Sequence, residues 1–115
     1  MTLHRALRFS DDLRRRPYRG AENLLAGHCY VASEVLYHLL GGGAAGWVPQ
    51  HLQHEGSPHW YLRNRRTGEI LDPTAGQFRR PPPHARGRGK GFLTRAPSRR
   101  ARALIGRMRA AVDML

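Results

Sequence analysis

The stretch His59-Trp60-Tyr61-Leu62-Arg63-Asn64-Arg65-Arg66-Thr67-Gly68-Glu69-Ile70-Leu71-Asp72-Pro73 decides how this chain reads. Aromatic and apolar residues flank a polar loop, Asn64 to Gly68, a pattern that predicts a β-hairpin with Gly68 supplying a positive φ. Pro73 has no N–H to give a ladder and ends the second strand. If Arg63 pairs with Gly68 across the loop, His59 falls directly opposite Asp72. Opposed residues leave the same face of a sheet with Cβ atoms about 4.5–5.5 Å apart. That register sets a carboxylate beside an imidazole, where it fixes the ring's tautomer and stabilises its cation.

Upstream, Gly46 to Gln53 reads as a further strand, weakened by Pro49, and Glu55-Gly56-Ser57-Pro58 as the turn between strands. Before it, Ala32, Val35, Leu36, Leu39 and Leu40 recur at helical spacing, and Gly41-Gly42-Gly43 stops the helix. Cys29 opens that helix. Unpaired backbone N–H groups and the positive end of the helix dipole favour a thiolate there, an effect that helps lower catalytic thiols from about 8.5 into the range of about 3.5–7.5. Cys29, His59 and Asp72 therefore stand in the order of a nucleophile, its base and the base's orienter.

Residues 2–16 hold a looser helical stripe (Leu3, Ala6, Leu7, Leu13), with Ser10 placed to cap a second short turn. Arg80 to Gly91 is rich in Pro, Gly and Arg without apolar periodicity, and is expected to cross the surface as a linker. Ser98 is placed to cap a last helix whose stripe is Ala101, Leu104, Ile105, Met108, Val112 and Leu115. The expected architecture is one α+β domain. It comprises an N-terminal helical region (1–20), a core (21–78) with the Cys29 helix on a small antiparallel sheet, a basic linker (79–97) and an amphipathic C-terminal helix (98–115).

Composition narrows the partners. A chain of 115 residues suits a single domain, and one cysteine excludes an intramolecular disulfide. No run approaches the ~18 apolar residues of a membrane span, and the N-terminus lacks the apolar stretch of a secretory signal, so a soluble cytoplasmic protein is expected. From residue 77 onward eleven Lys and Arg face one acid, Asp113; before it nine face seven, so most of the +12 charge lies in the C-terminal third. Arg86, Arg88, Lys90, Arg99, Arg100 and Arg102 form a candidate surface for nucleic acid or an acidic partner. Arginine supplies 19 of the 20 cations, which a GC-rich coding bias also explains. His51, His54 and His59 with Asp72 or Glu55 are the one grouping that suggests zinc, but no metal-site spacing accompanies them, and neither metal nor cofactor is expected.

Gly27-His28-Cys29 opening a helix, His59-Trp60 on a strand, and Leu71-Asp72-Pro73-Thr74-Ala75-Gly76 ending the next resemble the papain-like superfamily, closest to its transglutaminase-like and arylamine N-acetyltransferase-like branch. The resemblance covers about residues 21 to 78. It implies a thiol enzyme of acyl-transfer type (peptidase, amidase, deamidase or transglutaminase-like) acting on a protein or other amide-containing substrate. Cys29 would be the nucleophile, His59 the base and Asp72 the orienting carboxylate. Asn23 stands where papain-like proteases carry their oxyanion glutamine, and His28, Tyr30 and Trp60 are further oxyanion or substrate candidates. The whole chain is also similar to small proteins encoded by bacteriophages of actinobacteria, which implies a host-cytoplasmic setting. The competing expectation is a non-catalytic core of the same fold serving as a basic binding module.

Overall fold

The computed structural model describes residues 3–8, 10–14 and 27–113. The apolar spacing at its start gives helix α1 (Leu3–Arg8), followed by a 3-10 turn at Asp11–Leu13. Ser10 does not cap that turn with its side chain. Its hydroxyl donates to the Ala6 carbonyl at 2.7 Å and so closes α1, while its own carbonyl accepts the Leu13 N–H. Helix α2 (Cys29–Leu39) ends where Gly41 takes φ 93°, as the glycine run predicts.

Strands β1 (Trp47–His54), β2 (Ser57–Asn64), β3 (Ile70–Leu71) and β4 (Arg88–Gly89) form an antiparallel sheet in the order β3-β2-β1-β4, and helix α3 (Arg99–Asp113) follows. The expected α+β class is the observed one, with the cysteine-bearing helix packed on β2 and β1. Leu7, Val31, Ala32, Val35, Ala101 and Leu104 interlock α1, α2 and α3 in one apolar layer. Burying such side chains contributes about 1.5–3 kcal/mol each for the larger ones.

Helix α3 is tied to this layer by a buried polar joint. Ser98 accepts the Ala101 N–H at 3.2 Å, the cap its position predicts. Its own N–H and hydroxyl donate to the two oxygens of the fully buried Glu34 on α2, at 2.7 and 2.6 Å. The cap therefore joins two helices as well as closing one.

Two further expectations need correction. The hairpin pairs Leu62 with Leu71 and Arg63 with Ile70, so Asp72 lines up beside Tyr61 and not His59. The cause is Asn64. Its side-chain oxygen accepts the N–H groups of Arg66 and Thr67, while its backbone exchanges bonds with Glu69 and Gly68, so the turn begins one residue later. The shift moves the pairing by two positions, and a two-residue shift preserves facing because side chains alternate with period two.

The second correction concerns residues 79–97, which are no free linker. Pro82 is buried, a 3-10 turn forms at His84–Arg86, β4 pairs with β1, and Phe92 packs on Tyr30, Tyr37 and Trp60. The proline-rich composition hid a segment whose buried groups only tertiary contacts reveal. Gly87 is the tightest point of this segment, because a Cβ there would collide with the Tyr61 hydroxyl, itself donating to the His84 carbonyl at 2.8 Å. Gly87→Ala is expected to cost about 1–3 kcal/mol in urea unfolding. Tyr61→Phe should relieve only part of it, since the ring carbon Cζ still lies 2.6 Å from that Cβ position.

Candidate active site

Strand β2 carries His59 and Trp60 on opposite faces of the pleat. On one face the imidazole of His59 is fully buried, edge-on to Phe78 at 4.8 Å and stacked over Tyr61 at 6.0 Å. Its Nε2 lies 2.7 Å from Oδ2 of Asp72, whose side chain is 5% exposed. The two-residue offset turns the expected opposition into a diagonal one, which these side chains still span.

The carboxylate is an acceptor, so Nε2 of His59 carries the hydrogen and Nδ1 is left with its lone pair. Nδ1 faces the Gln77 amide at 3.3 Å, and the same amide nitrogen lies 3.3 Å from Thr74 Oγ1. Asp72 holds a second imidazole as well: Nε2 of His84 donates to the same Oδ2 at 2.8 Å. The other oxygen, Oδ1, is buried with no hydrogen-bond partner among the described residues. The Asp72 charge also acts on Tyr61, whose hydroxyl is raised above its ordinary pKa, first by burial and then by that carboxylate.

Cys29 begins α2 and is buried. Its Sγ lies 3.9 Å from the carbonyl oxygen of Pro58, the residue before His59. The thiol thus touches the residue next to His59 in β2, but no hydrogen bond joins it to the imidazole among the described residues. The Nδ1 atom, the ring nitrogen that could accept a proton, is the one the Gln77 amide covers.

The remaining candidates separate into groups. His28 is fully buried and its Nε2–H donates to the Ser10 carbonyl at 3.0 Å, so it fastens the chain before α2 to the turn after α1. Asn23 lies outside the described residues. Tyr30 and Trp60 pack edge to face at 4.9 Å and line a cleft of about 750 Å³ on the other side of β2, with Lys90, Arg99 and Arg100 around it. Arg86, Arg88 and Arg102 are exposed, and Arg102 spends its Nε on the Pro97 carbonyl. His51 pairs with Trp60 across β1 and β2, on the face away from His59, so the histidines named for zinc are divided between two sides of the sheet.

Reading residue by residue missed Gln77 and His84. Gln77 follows Asp72 by five positions, close enough to be weighed; His84 stood in the supposed linker and had no sequence signal beyond being a histidine.

His51 has a pH consequence. Burial, then the charges of Lys90 and His59, lower its pKa below the ordinary histidine value. The unfolded chain therefore takes up this proton first on acidification. The contribution to stability is complete above the unfolded value of about 6.5 and is lost as pH falls through the lowered folded value. His51→Gln is expected to flatten the rise of unfolding free energy between about pH 5 and pH 7, read from urea melts at each pH.

Comparison with family models, curated proteins and solved structures returned no match.

Proposed function

We propose that this protein is a thiol-dependent acyl-transfer enzyme, with Cys29 as nucleophile, His59 as general base and acid, and Asp72 as the carboxylate that orients His59. The observation that carries this reading is the 2.7 Å contact from His59 Nε2 to Asp72 Oδ2, because it leaves Nδ1 as the basic nitrogen of a fully buried ring. The position of Cys29 at the first turn of α2, against the residue preceding His59, adds to it. The resemblance to papain-like and transglutaminase-like enzymes fits the same assignment.

In the reaction, the Gln77 amide leaves Nδ1, which its long contacts allow at small cost. Nδ1 takes the Cys29 proton, and the sulfur forms a bond to the carbonyl carbon of an amide or ester as the C=O π pair moves onto oxygen. Backbone N–H groups left unpaired at the start of α2 would hold that oxyanion. The imidazolium of His59, balanced by Asp72, returns the proton to the departing amine or alcohol as its bond to carbon breaks. Water or an amine then resolves the thioester, with His59 taking its proton. A reducing compartment such as the cytoplasm keeps a lone catalytic thiol available.

The chain has a single cysteine, so thiolate absorbance near 240 nm reports on Cys29 alone, with Cys29→Ala as blank. The thiol is expected to titrate below about pH 7.5, and His59→Ala to move it upward. A thiol titrating at or above the free value of about 8.5 in the native protein overturns the assignment.

A further inference from the structure

The cleft on the Trp60 face of β2 is not used by the residues assigned above, yet its wall contains their neighbours: Tyr30 follows Cys29, and Pro58 precedes His59. At about 750 Å³ it falls within the size of ligand-binding pockets. Its floor is apolar, formed by Trp60, Pro58 and Tyr30, and Leu93 stands at the rim 92% exposed. An aliphatic side chain so fully in water, beside an apolar hollow, is a surface that gains by being covered.

Charge selects the occupant. Lys90, Arg99 and Arg100 line the cleft, no acidic residue does, and these three make no ion pair among the described residues. The Glu34 carboxylate beside Ser98 is buried and bonded to that residue's N–H and hydroxyl. Two arginines in the first turn of α3 also oppose the helix dipole, an arrangement that an anion between them would offset. A stacked nucleic-acid base is disfavoured, since the Lys90 ammonium already stands over the Trp60 ring, 5.6 Å from its centroid. An apolar floor beneath a cationic rim matches an apolar side chain flanked by carboxylates.

We propose that this cleft binds an acidic, apolar peptide segment, its apolar side chain against Trp60, Pro58 and Leu93 and its carboxylates on Lys90, Arg99 and Arg100. The proposal rests on the acyl-transfer reading only in making that segment part of the substrate, beside the bond that Cys29 attacks.

The test titrates the full chain with a capped hexapeptide, two central leucines between paired acidic residues, and follows tryptophan fluorescence. Trp60 lies in the cleft, and Trp47 is the other tryptophan. The expected result is saturable binding, weakened about tenfold in Arg99→Glu/Arg100→Glu, which leaves the fold intact because acidic residues suit the start of α3. Equal binding of a peptide with lysines replacing the acids, equal binding of an all-acidic peptide without leucines, or tighter binding of oligothymidylate overturns the proposal. So does an unchanged affinity in the reversed variant, or no binding of the acidic peptide. Failure of the two readings is distinguishable: peptide binding with a thiol that titrates as free cysteine removes the enzyme and keeps the cleft, and an acidic thiol without peptide binding does the reverse.

Discussion

Asp72→Ala is expected to slow acylation of Cys29 by about four orders of magnitude, followed as p-nitrophenolate release from p-nitrophenyl acetate. The size follows from what the carboxylate holds. One oxygen, Oδ2, accepts from both His59 and His84, and the ring of His59 is fully buried with no other acceptor for its Nε2 among the described residues. Without Asp72 the imidazole is free to place its hydrogen on Nδ1, the atom that accepts the thiol proton in the proposed reaction. The imidazolium also loses its counter-charge in a buried setting, where charges are screened least. Asp72→Asn separates the two effects, because its amide oxygen still accepts a hydrogen bond while the charge is gone. Its rate should fall between wild type and Ala. Wild-type rates in both variants would remove Asp72 from the mechanism.

The largest effect on stability is expected from Glu34→Ala, a loss of roughly 2–4 kcal/mol. Its two oxygens are the acceptors for the N–H and the hydroxyl of Ser98, and truncation removes both bonds and opens a gap at a fully buried position between α2 and α3. Such a loss is a large share of the roughly 5–15 kcal/mol that holds an ordinary domain together. Urea unfolding followed by circular dichroism measures it. Ser98→Ala should cost less, about 1 kcal/mol for the lost cap together with the hydrogen bond to Glu34. Equal stability of Glu34→Ala and wild type would mean that α3 is held by its apolar stripe alone.

Local pattern carried the fold a long way. The helical spacing of Ala32, Val35 and Leu36, the strands on either side of Glu55-Gly56, and Ser98 before its helix all form where the sequence puts them. In each case the signal and the structure share a cause, either burial of one face or satisfaction of a helix end. The hairpin register failed because it was counted from a loop length, while the turn is set by the Asn64 side chain. The association of His59 with Asp72 nevertheless follows, since an error of two residues leaves both on one face.

What could not be read was the segment from Arg79 to Lys90. Its anchors are single atoms: His84 on Asp72, the Tyr61 hydroxyl on the His84 carbonyl, and Glu55 accepting the N–H groups of Arg79 and Arg80. None of these repeats along the chain, so no periodicity announces them. Asn23 stays an expectation from the resemblance, whereas Gln77 is the side-chain amide found beside His59.

The sheet's two outer strands, β3 and β4, are only two residues long, while the inner pair run for eight each. Long bare borders invite another polypeptide to zip on and seed aggregates. Here β3 and β4 each offer little more than a single rung, and each pairs with only two residues of the longer strand beside it. The guanidinium of Arg88 on β4 is the kind of charge that works against a further strand adding at that border.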